Sequence, residues 1–120
     1  MSRIDPIAKA GVAGDAFAVS FDRLVAVDSV VALVADMAQI VKPVTVNLSD
    51  RAHLQSIYEA GSSMLQKQFD RDCIDLAVIA RAGVQALLQL KSEGRQNIDV
   101  AASCLMREIQ INGRQISMLL

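Results

Sequence analysis

The longest apolar pattern in the chain runs from about residue 20 to residue 41. Aliphatic side chains recur there every three or four residues in two stripes, so the apolar arc exceeds the roughly 100° of a surface helix. Polar residues return at spacings of three, four or seven, which favours a helix despite the many β-branched valines. Such a helix needs neighbours on most of its sides. The stripes are Val27, Val31, Val34, Ala38, Val41 and Phe21, Leu24, Val30, Leu33, Met37, Ile40.

The residues that precede this helix are expected to behave differently. Pro6, Gly11 and Gly14 stand among small side chains, and two glycines three residues apart weaken a helix. We therefore predict a flexible N-terminal arm over residues 1–18. Residues 19–120 contain no linker and no internal repeat, and they are predicted to form a single helical domain.

A second helical stretch follows the break at Lys42-Pro43 and extends over residues 49–93. Asn47 or Ser49 is expected to cap its start. One helix over the whole stretch would be about 68 Å long, which is too long for a compact domain of this size. We therefore expect a turn or kink near residues 69–72, where Asp70-Arg71-Asp72 interrupts the apolar spacing.

The last helix is expected over about 98–111, after a turn with Gly94 as its left-handed cap. Asn97 is a suitable residue to cap the helix start. Asn112-Gly113 then indicates either a helix stop or a type I′ hairpin turn. The tail over residues 116–120 is too apolar for free exposure to water and should dock on the body or on a partner.

These elements together predict an all-α fold: a four- to five-helix orthogonal or up-down bundle with a loose N-terminal arm. The 120 residues are 52% hydrophobic and only 3% aromatic, so the apolar excess is aliphatic. A chain of this length can bury about two-thirds of its surface, which is enough for a core. Gly61 and Gly83 would permit close approach of helices, within the bundle or to another subunit.

Charge and cysteine usage argue against several function classes. Twelve Lys and Arg against thirteen Asp and Glu give a net charge of −1 with no basic half, so nucleic-acid binding is not expected. The apolar window over 24–41 contains Asp28 and Asp36, and each would cost about 2.5–3.5 kcal/mol in a membrane. No membrane interaction is therefore expected. The N-terminus lacks a signal-peptide core, which favours the cytoplasm.

Candidate catalytic chemistry is sparse. His53 is the only histidine, and Asp50 lies three positions before it, so an Asp–His pair is an alternative to a solvated first-turn histidine. Ser62 lies about 14 Å further along a helix and cannot act with His53. Cys73 and Cys104 lack a CxxC spacing and are expected to be buried thiols, with a disulfide as the alternative.

An acidic cluster at residues 70–75 is the remaining chemical candidate. Asp70, Asp72 and Asp75 could hold Mg²⁺ or Ca²⁺, but their spacing does not match a calcium loop. We expect instead that they stabilise the dipole of a helix N-terminus. The sequence thus predicts no catalytic residues, no metal and no cofactor, and the chain is not expected to be an enzyme.

The aliphatic excess without a catalytic set predicts a helical protein–protein interaction module. We expect a regulator of the bacterial anti-activator or adaptor type, which forms a homodimer and restrains a protein partner. The alternatives are a chaperone or assembly component of a secretion or phage apparatus, and a bundle that binds a small ligand or acts as an enzyme. The candidate interface comprises Phe21, Leu24, Val27, Val31, Val34, Met37, Ile40, Leu105, Ile109, Ile116, Met118 and Leu119.

Overall fold

The computed structural model describes the backbone of residues 4–120 and the side chains of residues 15–120. This part of the chain folds as a bundle of four α-helices and contains no strand, which confirms the all-α class. The helices are α1 (Ile4–Ala38), α2 (Arg51–Ala60), α3 (Ser63–Ser92) and α4 (Ile98–Leu119).

The two long helices α1 and α3 pack side by side and run in the same direction. The Phe17 ring stacks on the Phe69 ring with centroids 6.2 Å apart. The Ser20 hydroxyl lies 2.6 Å from a carboxylate oxygen of Asp70, 50 positions later in the chain. The two helices are therefore in a parallel register, in which each residue of α1 lies beside the residue of α3 that is about 50 positions later in the chain.

Helix α4 runs antiparallel to both of them and completes a three-helix core. Gly83 of α3 faces Leu105 of α4 so closely that a Cβ at Gly83 would lie 2.3 Å from Leu105 Cδ1. Gly83 therefore permits the close approach of two helices within the chain, which is the first of the two roles predicted for it. The long axis of the molecule measures 61 Å, against 26 and 22 Å across.

Residues 39–50 return the chain from the end of α1 along the groove between α1 and α4, and α2 then packs on α1 and α3 beside the C-terminal end of α4. Lys42 Nζ lies 2.7 Å from Asp28 Oδ2 on α1. Thr45 contacts Gly113 of α4, and Val46 is buried. This crossover segment therefore covers the α1–α4 groove.

The contact of the crossover with α4 explains why α4 is longer than expected. The helix continues through Asn112 and Gly113 to Leu119, so both the predicted helix stop and the hairpin turn are wrong. A Cβ at Gly113 would lie 3.0 Å from the Thr45 carbonyl oxygen, so glycine here permits close approach of two backbones. Ile116 is fully buried, and the apolar tail docks on the body as expected.

The break between α2 and α3 lies at Gly61-Ser62 and not near residues 69–72. The Gly61 N–H donates to the Tyr58 carbonyl, and the backbone of Gly61 is extended. Ser62 caps α3, since its Oγ accepts a hydrogen bond from the Leu65 N–H at 3.2 Å. The charged residues from Asp70 to Asp72 lie inside α3, because a helix carries charges on its exposed side without interruption.

The caps of the two remaining helix starts also differ from expectation. Asp50, and not Asn47 or Ser49, caps α2, because its Oδ1 accepts a hydrogen bond from the His53 N–H at 3.1 Å. Asn47 and Ser49 bond to each other in the preceding loop. Asn97 occupies the N-cap position of α4 in a left-handed conformation, and its side chain makes no capping hydrogen bond.

Helix α1 begins much earlier than the predicted start near residue 20. Its backbone is helical from Ile4, and Phe17 is fully buried among the rings of Phe21, Tyr58 and Phe69. The end of the predicted arm therefore belongs to the core. Residues 1–3 and the side chains of 4–14 lie outside the described part, and the flexibility predicted for them stays a prediction.

The C-terminal ends of α1 and α3 use the same backbone motif with different residues. After α3, Gly94 adopts φ 71°, and Arg95 N–H donates to the Leu90 carbonyl, which confirms the predicted left-handed cap. After α1, Gln39 adopts φ 60°, and Ile40 N–H donates to the Ala35 carbonyl. Gln39 therefore occupies a position that favours glycine.

Replacing Gln39 with glycine is expected to raise the free energy of unfolding by about 0.5–1 kcal/mol, because glycine removes the strain of a side chain at positive φ. Gly94→Ala should lower it by about 1 kcal/mol for the same reason. Urea denaturation of the two variants and the unchanged protein measures both effects. If the two substitutions change the free energy of unfolding in the same direction, this explanation is wrong.

Candidate functional site

The predicted interface residues fall into three groups in the folded chain. Met37 and Leu119 are half-buried against the core, while Ile40 and Met118 are 45% and 79% exposed. The others pack on one another inside the bundle, so the core of a single chain accounts for their apolar pattern. The buried members are Phe21, Leu24, Val27, Val31, Val34, Leu105, Ile109 and Ile116.

A different set of aliphatic residues lies on the surface, along the groove between α1 and α3. On α1, the stripe continues through Val19, Ala26, Val30, Leu33 and Met37 at spacings of three, four and seven residues. On α3, Ile74, Ala77, Arg81 and Leu88 recur along the facing side at spacings of three, four and seven residues. We call this surface the α1–α3 groove. Part of its α1 side, namely Val30, Leu33 and Met37, belongs to the second aliphatic stripe identified in the sequence.

The exposure of these side chains shows that the groove is open. Val19, Leu33 and Ile74 are 49%, 41% and 43% exposed, and Leu88 is 44% exposed. The aliphatic side chains of this groove stay exposed, whereas the crossover segment covers part of the neighbouring α1–α4 groove. Among residues 15–120, one groove of the bundle is thus covered and this one is open.

Two shallow depressions lie along the α1–α3 groove, and each contains an arginine. The first is lined by Asp15, Val19 and Arg23 of α1, together with Asp70 of α3. The second is lined by the small residues Ala26, Ala77 and Ala80, with Arg81 at its edge. The groove therefore combines small and aliphatic side chains with two arginines and with the two carboxylates of the first depression, which suits an amphipathic helix better than a small polar ligand.

A buried polar cluster lies beneath the first depression. Both carboxylate oxygens of Asp70 accept hydrogen bonds, one from Ser20 Oγ–H at 2.6 Å and the other from Tyr58 O–H at 3.0 Å. Ser20 is 1% exposed. This cluster ties α1, α2 and α3 together at one point. The Ser20 hydroxyl is buried and donates to Asp70, and it has no histidine beside it, so the arrangement is suited to holding helices together.

The other members of the acidic cluster do not join Asp70. Asp72 accepts a hydrogen bond from Gln68 Nε2 at 2.8 Å, and Asp75 is exposed. Because α3 begins at Ser63, all three acids lie beyond its first turn, and the predicted role at a helix N-terminus is wrong. Within residues whose side chains are described, no group of three His, Cys, Asp or Glu could hold a metal ion.

His53 and the two cysteines are placed apart from this cluster. Asp50 bonds to the backbone N–H of His53 and not to its imidazole, and His53 is exposed. Cys73 is buried, as expected, but Cys104 is exposed, and both thiols are free. Burial, and then the nearby carboxylates of Asp70 and Asp72, raise the pKa of the Cys73 thiol to about 12 from 9.0.

The raised pKa of Cys73 predicts a loss of stability at alkaline pH. Above about pH 9, the unfolded chain releases the thiol proton while the folded chain retains it, so the free energy of unfolding falls as pH rises. The expected slope is about 1.4 kcal/mol per pH unit for this group. Tyr58, whose pKa burial and its bond to Asp70 raise to about 12, extends the effect.

Urea denaturation at a series of alkaline pH values measures this slope. Cys73→Ala should reduce the slope, while Cys104→Ser, which changes an exposed thiol, should leave it unchanged. An identical slope in the Cys73→Ala variant would contradict the assignment.

Comparison with protein-family models, curated proteins and solved structures finds no match for this chain. By length and composition alone, α3 would be long and apolar enough to cross a membrane, since an 18-residue window has a mean hydropathy of 1.5. Only 28% of that window is buried within the chain. Helix α3 therefore presents more apolar surface than the bundle itself uses.

Proposed function

We propose that this chain is a protein–protein interaction module that binds an amphipathic helix of a partner protein in the α1–α3 groove. The observation that carries the proposal is the contrast between two grooves of one bundle. The crossover segment fills the α1–α4 groove, and the α1–α3 groove keeps exposed aliphatic side chains on both of its walls.

The shape and chemistry of the groove support a helical occupant. From Val19 to Met37, the groove extends along five turns of α1, about 27 Å. Alanines line its middle, which allows the backbone of a docked helix to approach closely. Each large aliphatic side chain that becomes fully buried contributes up to about 1.5–3 kcal/mol, and the cost of association offsets part of this gain.

A module of this kind acts by covering the helix that it binds. A partner helix whose apolar face lies in the α1–α3 groove is unavailable for its own contacts, which is how a small regulator of the anti-activator or adaptor type restrains its target. Such a role needs no catalytic group. It agrees with a polar cluster that holds helices together.

Site-specific photo-crosslinking tests this proposal with a matched pair of positions. Ile74 on the groove and Ile111 on α4 are 43% and 53% exposed, so the two isoleucines differ in location and little in accessibility. A photoreactive residue at position 74, and not at position 111, is expected to crosslink a partner protein in the cells that produce the chain. The crosslinked segment should be an amphipathic helix.

A synthetic peptide of that segment then provides the quantitative measurement. Ile74→Asp should weaken its binding by roughly tenfold or more, because a carboxylate replaces an apolar contact, while Ile111→Asp should leave binding unchanged. Equal effects of the two substitutions, adducts from position 111 alone, or adducts to lipid alone would refute the proposal.

A further inference from the structure

The two arginines of the α1–α3 groove are separated by about two helical turns. Arg23 lies on α1 and Arg81 on α3. Because position 20 lies beside position 70, Arg81 is level with about position 31 of α1. The two positive charges are therefore roughly 12 Å apart along the groove. A helix that fills the groove would pair with both if it carried carboxylates about two turns apart.

The exposed face of α1 has this pattern. Asp15 and Asp22 are both exposed and lie seven residues apart, which is about 10 Å along a helix. Val19 lies between them on the same face, and Ala26 follows one turn later. Among the side chains of residues 15–120, the ion pairs are Lys42–Asp28 and Arg95–Glu93, so these two acids and the two groove arginines have no ionic partner within the described chain.

We propose that α1 of a second copy of this chain fills the α1–α3 groove, with the two α1 helices antiparallel about a two-fold axis. Placing Asp22 of the second copy beside Arg23 brings Asp15 of the second copy beside Arg81, because both spacings are about two turns. The two-fold axis repeats these pairs, so each ion pair occurs twice. In a parallel arrangement about a two-fold axis, Asp15 and Asp22 of one copy would lie level with Asp15 and Asp22 of the other. Arg81 would then have neither of these carboxylates beside it.

The apolar residues agree with the same register. When Asp22 of one copy lies beside Arg23 of the other, Val19 of one copy lies opposite Ala26 of the other. Alanine on one side allows the larger valine to pack closely. The dimer would cover Val19, which is 49% exposed in the single chain, and the alanine-lined depression.

This inference rests on the proposed function, since it names the helix that fills the α1–α3 groove when no partner is bound. A partner helix would then bind by displacing α1 of the second copy. The dimer is thus the resting state of the module, and partner binding competes with self-association.

The dimer is tested by reversing the charge of each residue of one ion pair, first singly and then in both residues together. Sedimentation velocity across a dilution series should show a dimer for the unchanged chain. Arg81→Glu and Asp15→Arg should each raise its dissociation constant roughly tenfold or more, because each turns two symmetry-related attractions into repulsions. The double variant Asp15→Arg with Arg81→Glu should restore the dimer. Arg107→Glu, on the exposed side of α4, is the control and should have no effect.

Circular dichroism melting of each variant shows whether it remains folded. A monomeric unchanged chain, equal effects of Arg81→Glu and Arg107→Glu, or a double variant that stays monomeric would each overturn the proposed dimer. None of these outcomes affects the separate test of partner binding with Ile74→Asp and Ile111→Asp. The opposite result is also distinguishable. If the double variant restores the dimer but no partner protein crosslinks specifically to the groove, the proposed function is overturned and the proposed dimer stands.

Discussion

Replacing Phe17 with alanine is expected to lower the free energy of unfolding by about 3–5 kcal/mol. The Phe17 side chain is fully buried, and its ring contacts the rings of Phe21, Tyr58 and Phe69 at centroid distances of 5.5 to 6.2 Å. Alanine would leave a cavity at the point where α1, α2 and α3 meet. Since a domain of this size has a total stability of about 5–15 kcal/mol, the loss is a large fraction of it.

Urea denaturation followed by circular dichroism measures this effect. Val25→Ala, on the same helix, outside the groove and 45% exposed, is the control and should cost less than about 1 kcal/mol. A similar small loss for Phe17→Ala would contradict the packing described above. It would instead agree with the flexible arm that the sequence predicted through residue 18.

Replacing Asp70 with alanine is expected to lower the free energy of unfolding by about 2–4 kcal/mol. The substitution removes the acceptor for two hydrogen bonds and leaves the hydroxyls of Ser20 and Tyr58 without it. Ser20 is 1% exposed and Tyr58 2%, so water replaces the lost acceptor poorly. Asp70→Asn, which keeps an acceptor oxygen, should cost less.

A double-mutant cycle with Tyr58→Phe isolates the contribution of one hydrogen bond. The coupling free energy between the two positions is expected to be about 1–3 kcal/mol. Asp72→Ala provides the comparison, since Asp72 bonds only to the exposed Gln68 on its own helix and should cost about 0.5 kcal/mol or less. A coupling near zero would show that Asp70 does not hold the three helices together.

The functional interpretation depends on which aliphatic residues the bundle uses. The sequence contains more aliphatic surface than an ordinary outer helix face needs, and this excess predicted association. The structure places most of the predicted interface in the core and shows a second set along the α1–α3 groove. Val30, Leu33 and Met37 belonged to an identified stripe, so the signal for part of the groove was present in the sequence.

The groove walls on α3 and the Ser20–Asp70–Tyr58 cluster could not be found in this way. Ile74 and Leu88 each follow a core residue directly, Cys73 and Leu87, so the sequence places them at the edge of the apolar face without showing whether a neighbouring segment covers them. Ser20 and Asp70 are 50 positions apart and belong to different helices. Their contact depends on the parallel register of α1 and α3, which no local pattern encodes.

Local sequence determined the helical class, the non-helical segment around Pro43 and the left-handed turn at Gly94, because periodicity, proline geometry and glycine at positive φ act within a few residues. Helix α1 itself ends at Ala38, three residues before the predicted end near residue 41. Tertiary structure alone decided that α4 continues through Gly113, that Phe17 is a core residue, and that one groove is covered while the other is open. Each of these depends on what a distant segment places against the helix: Thr45 on Gly113, aromatic rings around Phe17, and the crossover along α1 and α4. Burial is a property of the packed chain, and the spacing of apolar residues shows which faces can be buried without showing what buries them.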